Sequence, residues 1–137
     1  VRRASVLAWL RLARIFNKID HCSSEQMRCK GLSTAQFDVM AHVGGAPGLT
    51  QQELADSLLV TKGNVCQLLD RMEFSGLLER RQEGRSNRLY LTEKGQSLFD
   101  QVVPDHEESI DSHFGVLSGS EQTTLLELLR KLDRSLD

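Results

Sequence analysis

The chain has 137 residues, 39% of them hydrophobic and 26% charged, with ten glycines, a makeup close to that of soluble globular domains. A chain of this length buries roughly two-thirds of the surface it exposes when unfolded, so neither disulfides nor a structural metal is needed, and one compact domain is expected. The longest apolar run, Val6 to Leu10, is far short of the ~20 residues of a spanning helix, so no membrane partner is expected. Arg2 and Arg3 precede that run, but Arg11 and Arg14 interrupt what would be the apolar region of a signal peptide, and the chain reads as cytosolic.

Net charge is -2, but it is unevenly spread: +5 over residues 1–30, -3 over 31–60, +2 over 61–95 and -6 over 96–137. A positive centre with an acidic tail suits nucleic-acid binding by one part of a protein whose other parts do something else. Cys22, Cys29 and Cys66 form an odd set without C-x-x-C spacing, so neither a disulfide framework nor a zinc ribbon is indicated, and they are expected to be buried or idle thiols.

Ala8, Leu12, Ile15, Ile19 and Cys22 recur at helical spacing, widened by Trp9 and Phe16, which predicts a first helix over 3–22. Ser23 to Lys30 reads as a polar connection. Ser33 with Gln36 makes a capping box stapled by Leu32 and Phe37, and opens a helix to about Val43; residues 44–48 (Gly-Gly-Ala-Pro-Gly) read as a turn. Thr50 with Glu53 makes a second box, stapled by Leu49 and Leu54, for a short helix ending near Leu58. Thr61 caps the next helix, with Val60 and Val65 as staple, Val65, Leu68, Leu69 and Met72 as buried face, and Gly76 as its closing residue. Two short helices so closely joined have the layout of a helix-turn-helix.

Beyond Gly76 the period changes. Leu77–Arg81 and Arg88–Thr92 are β-compatible and flank a turn-rich 82–87, which predicts a hairpin, the wing of a winged helix. Thr92 caps a fifth helix carrying Leu98, Val102 and Val103, with an expected kink at Pro104 and the stripe continued by Ile110 and Phe114. Ser118 with Glu121 opens a sixth helix bearing Leu125, Leu128, Leu129, Leu132 and Leu136. The fold class is therefore mainly α with a small β wing: a winged helix-turn-helix lobe over 32–95 and terminal helices over 1–31 and 96–137. Those helices carry more apolar surface than so small a lobe covers, so a homodimer is expected, with two reading helices in two-fold relation.

On the reading helix, Asn64, Gln67 and Arg71 lie away from the Val65/Leu69/Met72 face, and Thr61, Lys62 and Gly63 lie at its start. Asn and Gln pair bidentately with adenine, Lys and a helix N-terminus hold phosphate, and Gly lets backbone approach closely, so the expected partner is a double-stranded DNA operator. The sequence has no Gly-rich phosphate loop, nucleophile elbow or H-E-x-x-H, and implies neither an enzyme nor a cofactor.

The runs 49–55 (Leu-Thr-Gln-Gln-Glu-Leu-Ala), 60–65 (Val-Thr-Lys-Gly-Asn-Val), 69–73 (Leu-Asp-Arg-Met-Glu), 76–81 (Gly-Leu-Leu-Glu-Arg-Arg) and 91–95 (Leu-Thr-Glu-Lys-Gly) closely resemble the MarR family of winged helix-turn-helix regulators. The resemblance covers residues 32–100 by motif and implies a triangular homodimer, often released from its operator by a small aromatic or anionic effector or by an oxidant. It further implies Arg85 as the minor-groove arginine, steered by Glu83, and Arg88 as a phosphate partner. A single residue between Arg81 and Glu83, where family members commonly have several more, makes the wing short. Trp9, Arg11 and Arg14 are the expected effector contacts. Cys29, flanked by Arg28 and Lys30, is the alternative, as a thiol switch. At the positions where zinc-sensing members bind metal this chain has Phe37, Asp38, Gln101, Val102 and His106, too few ligands for a site. The alternative from another class is a winged-helix protein-interaction module without DNA binding.

Overall fold

The computed structural model describes residues 3–58 and 62–137, apart from the side chains of Lys62 and Gly63. Its elements follow the order α1 (Ala4–Arg28), α2 (Thr34–Gly45), α3 (Gln51–Ser57), α4 (Lys62–Phe74), β1 (Leu78–Glu83), β2 (Ser86–Leu91), α5 (Glu93–His113), a single 3₁₀ turn (Phe114–Val116) and α6 (Gly119–Ser135). The chain divides into two compact units, Val1–Asp105 and His106–Asp137, with the break inside α5. Pro104 lies within that helix without ending it.

All three capping boxes form as the sequence predicts. The side chains of Ser33, Thr50 and Ser118 accept from the backbone N–H of Gln36, Glu53 and Glu121, and each partner side chain returns to the cap residue's own N–H. Each box satisfies two N–H groups that a helix start otherwise leaves open. The staples Leu32/Phe37 and Leu54 are buried, with Leu49 packed against the same cluster. The cap at Thr61 and its staple partner Val60 lie outside the described residues.

Three boundaries differ from expectation. The first helix continues to Arg28 rather than ending at Cys22, because Ser23 and Met27 extend its buried edge by one more turn. It then closes at Gly31, φ +76, where Leu32 N–H reaches the Met27 carbonyl at 3.0 Å and Gly31 N–H the Arg28 carbonyl at 3.0 Å, the paired bonds of a Schellman ending. Gly44 and Gly45 are helical, not a turn; a Cβ on Gly44 would stand 2.4 Å from the Phe99 ring, so a glycine is what lets that ring lie against α2. The hairpin loop is two residues, not six: pairing runs from Leu78↔Leu91 out to Glu83↔Ser86, leaving only Gly84 and Arg85. Gly84 has φ +65 and Arg85 does not have positive φ, the arrangement of a Gly-first hairpin turn whose twist matches its strands.

The core of the first unit gathers Met27, Leu32, Phe37, Met40, Leu54 and Leu69 with Leu78 and Leu89 of the hairpin and Val102 of α5. Residues 48–50 add a third short edge to the wing: Gly48 N–H donates to the Leu89 carbonyl (2.9 Å) and Leu89 N–H to the Leu49 carbonyl (3.0 Å). The start of α5 is pressed onto the end of α4. Thr92 N–H bonds the Leu77 carbonyl (3.1 Å), and the Thr92 hydroxyl donates to the Gly76 carbonyl while its oxygen accepts from Gly95 N–H (3.1 Å).

At Gly95 a Cβ would come within 1.9 Å of the Leu77 carbonyl oxygen, a backbone atom held in place by the Thr92 bond. Gly95→Ala is therefore expected to lose more than about 2 kcal/mol in urea unfolding, as overpacking against fixed backbone does. Gly45→Ala, with nothing within 4 Å of its added methyl, is expected to lose nothing.

Candidate nucleic-acid interface

On α4 the sequence period separates two faces. Val65, Leu69 and Met72 are buried at 1%, 0% and 0% exposure, while Asn64, Gln67 and Arg71, spaced i, i+3, i+7, are all exposed on another side. Lys62 begins the helix, with Gly63 in its first turn. Thr61 lies outside the described residues. The start of α3, the first half of α4 and the wing turn converge around one cleft of about 330 Å³, lined among others by Gln51, Gln52, Cys66, Arg85 and Asn87. The expected reading helix and the expected wing tip thus border a common opening. Arg85 occupies the second turn position, is exposed, and makes no hydrogen bond or ion pair with the described residues.

Arg80 fixes the hairpin to α4. Its guanidinium pairs with Asp70 and with Glu73 Oε1 (3.0 Å), and its backbone N–H donates to Glu73 Oε2 (3.1 Å). Those bonds, the side-chain one foremost and the backbone one next, hold the Glu73 carboxyl below its usual range. The Asp70 and Glu73 carboxylates in turn raise the Arg80 guanidinium above its own. In the sequence this clamp shows only as three charged residues, Asp70, Glu73 and Arg80, across a helix and the next strand.

The outer face of the wing is arranged differently from expectation. Glu83 does not pair with Arg85; its Oε2 lies 3.2 Å from Arg88 Nε, and its Oε1 accepts from the Tyr90 hydroxyl at 3.4 Å. Arg88 also donates from Nη1 to the Gly48 carbonyl at 2.8 Å. The Arg81 guanidinium, paired with Glu79, lies 4.2 Å from the centre of the Tyr90 ring.

On α1, Trp9 is 67% exposed, and Arg11 and Arg14 are exposed. The three do not share a face: at 3.6 residues per turn Trp9 points roughly 160° from Arg11 and 140° from Arg14. Arg14 instead lines an open groove of about 660 Å³ with Asn17, Lys18, His21 and Cys22. All three cysteines are exposed rather than buried, and Gln51 Nε2 donates to Cys66 Sγ at 3.2 Å. Among the described residues no three His, Cys, Asp or Glu side chains gather as a metal site, and no helix is long and apolar enough to cross a membrane.

A short helix, a second helix with a polar outer face, and a hairpin pinned beside it define a winged helix-turn-helix protein. The MarR family profile matches residues 30–88. An HTH-type transcriptional regulator of Bacillus cereus is 36% identical over 129 residues, covering 93% of this chain and 88% of the relative. A MarR family regulator from Silicibacter pomeroyi superimposes with a TM-score of 0.87 at 25% identity, over 99% of this chain and 97% of the other. Streptococcus pneumoniae FabT, solved in complex with DNA, superimposes with a TM-score of 0.79 at 24% identity, over 96% of each chain. The chain belongs to the MarR family of transcriptional regulators.

The Arg80 clamp carries a pH signature. Because the folded Glu73 carboxyl is depressed, its contribution is complete above the ordinary glutamate value of about 4.3 and is lost as pH falls through the folded value. For so exposed a pair it is about 0.2–1 kcal/mol. The stability difference between wild type and Glu73→Gln, read from thermal melts, is expected to shrink between about pH 5 and about pH 3 and to be constant above about pH 6.

Proposed function

We propose that this regulator is a homodimeric repressor that reads a pseudo-palindromic operator and is released by a small aromatic or anionic effector. The observation that carries the DNA reading is the cleft that Cys66 of α4 and the start of α3 share with Arg85 of the wing turn, on a helix whose Asn64, Gln67 and Arg71 are exposed. A helix in the major groove offers Asn64 and Gln67 to base edges and Arg71 to the backbone, with Lys62, Gly63 and Thr61 at the helix start beside phosphate. Arg85 then faces the adjacent minor groove, where a narrow A·T-rich stretch attracts a guanidinium. FabT's crystallisation with DNA supports the same use of the fold. A dimer covering an operator excludes other proteins from that duplex, which is repression by occupancy.

The dimer reading rests on apolar surface. None of the residues of α6 is buried, although it carries five leucines; Leu128 is 60% and Leu132 50% exposed. In α1 only Ser23 and Met27 are buried, while Val6, Leu7, Leu10, Ile15 and Phe16 are exposed. Two long helices so composed each need cover, which a second copy supplies. For the effector, Arg14 and Lys18 give the α1 groove a cationic wall suited to a carboxylate or phenolate; Trp9 and Arg11 do not line it.

Two experiments test these readings. Affinity for a duplex selected from a random pool is expected to fall ~10³-fold or more between 50 and 200 mM salt if six or more phosphates are contacted. On the same duplex Gln67→Ala should relax base preference by about 1–3 kcal/mol, and salicylate in reducing buffer should weaken binding about 5- to 150-fold. Selection of no duplex defeats the DNA reading, and indifference to salicylate and related phenols defeats the effector reading. Independently, light scattering at micromolar concentration should show a dimer. Leu129→Glu, placing an unpaired charge in the contact, should dissociate or unfold it at a cost of several kcal/mol; a wild-type monomer overturns the assembly.

A further inference from the structure

An acidic side chain two residues before the tip arginine is out of place on a surface that meets DNA. Glu83 brings a negative charge toward phosphates, and electrostatics alone would remove it. Its neighbours explain it. Glu83 is the last paired residue of β1, and Arg88 lies on the same face of the hairpin, opposite Arg81. Strand alternation puts Glu79, Arg81 and Glu83 with Ser86, Arg88 and Tyr90 on that face. There Arg88 is used at two points, Nε toward Glu83 and Nη1 toward the carbonyl of Gly48. Gly48 is itself seated on Tyr90: a Cβ there would stand 3.2 Å from the Tyr90 hydroxyl, the same hydroxyl that donates to Glu83. The contacts close a ring from Gly48 through Arg88, Glu83 and Tyr90 back to Gly48.

We propose that Arg88 is a positioning residue for DNA recognition, tying the outer half of the wing through Glu83 to the turn between α2 and α3, so that Arg85 is presented at a fixed tilt. Arg88 does not itself hold phosphate. A two-stranded ribbon is marginally stable alone, and beyond the backbone bonds of residues 48–50 this side-chain ring is what fastens the tip-side half. A tip already held in place loses less conformational freedom on binding, which appears as affinity without a new contact. The shortness of the turn fits this, since a two-residue loop passes the orientation of its strands directly to Arg85. The proposal rests on the reading of Arg85 as a DNA-contacting residue.

The test compares Arg88→Lys, Arg88→Ala, Glu83→Gln, Arg85→Ala and the Arg85→Ala/Arg88→Ala double variant by fluorescence anisotropy on the duplex selected by the wild type. Heteronuclear NOEs of amides 83–86 are recorded without DNA. Lysine keeps the charge but cannot reach Gly48 and Glu83 from two nitrogens of one plane. Arg88→Lys and Glu83→Gln are each expected to weaken binding about tenfold, and Arg88→Ala is expected to add nothing once Arg85 is alanine. The tip amides should be more mobile in the Arg88 and Glu83 variants but not in Arg85→Ala. Full affinity in Arg88→Lys, a salt slope lowered by about one in Arg88→Ala, or tighter binding by Glu83→Gln would each overturn the proposal and make Arg88 an ordinary phosphate contact. If the wild type selects no duplex, the reading of Arg85 fails, and the amide measurements still decide whether Arg88 fastens the wing.

Discussion

The close approach of α5 to the end of α4 is the constraint on which the winged lobe depends. At that junction Gly76, Leu77, Thr92 and Gly95 share hydrogen bonds, and Lys94 Nζ adds a bond to the Ser75 carbonyl at 3.0 Å. Helix α4 ends there in a Schellman turn, with Leu77 N–H on the Met72 carbonyl at 2.9 Å and Gly76 N–H on that of Glu73 at 3.0 Å. The hairpin begins one residue later and returns one residue before α5. Orphan carbonyls at the end of one helix and orphan amides at the start of another are therefore satisfied within a few ångströms, and both strands of the wing start from the same fixed point.

From that point the wing is secured twice more, by chemistry suited to each place. Near α4 the fastening is Arg80 between Asp70 and Glu73, ten and seven residues back in sequence. Farther out it is Arg88, whose partner at Gly48 is 40 residues away. Beneath both lies the apolar contact of Leu78 and Leu89 with Leu69 and Met72, buried to 1% exposure or less. Helix α4 and the hairpin are thus held in place by a dry face and two charged fasteners.

Local signals in the sequence were readable where the physics is local. A capping box is complete within four residues, so Ser33/Gln36, Thr50/Glu53 and Ser118/Glu121 announce their helices without any tertiary context. The end of α1 was misplaced because Ser23 to Lys30 is polar, although Gly31 followed by Leu32 carried the signal of a Schellman ending. The hairpin loop is shorter than the sequence suggests because Gln82, Glu83, Ser86 and Asn87 look like turn residues, whereas Gly84 with its positive φ sets the turn. Chemistry alone groups Trp9 with Arg11 and Arg14, and helical geometry separates them. The bond from Arg88 to Gly48 is out of reach for another reason: nothing near Arg88 in the chain points to a carbonyl 40 residues away.

The two-residue turn has a consequence for how the reach of this wing can change. A loop of this kind contains no slack, so a single inserted residue cannot lengthen the hairpin without creating a bulge or breaking the register. One added residue in each strand moves the tip outward by about 3.4 Å but turns the tip arginine to the opposite face, because strand side chains alternate with period two. Only two added residues per strand restore the face, with about 7 Å of extra reach. Wings built on this turn therefore change length in discrete steps, and no intermediate between this length and the next keeps Arg85 on its present face.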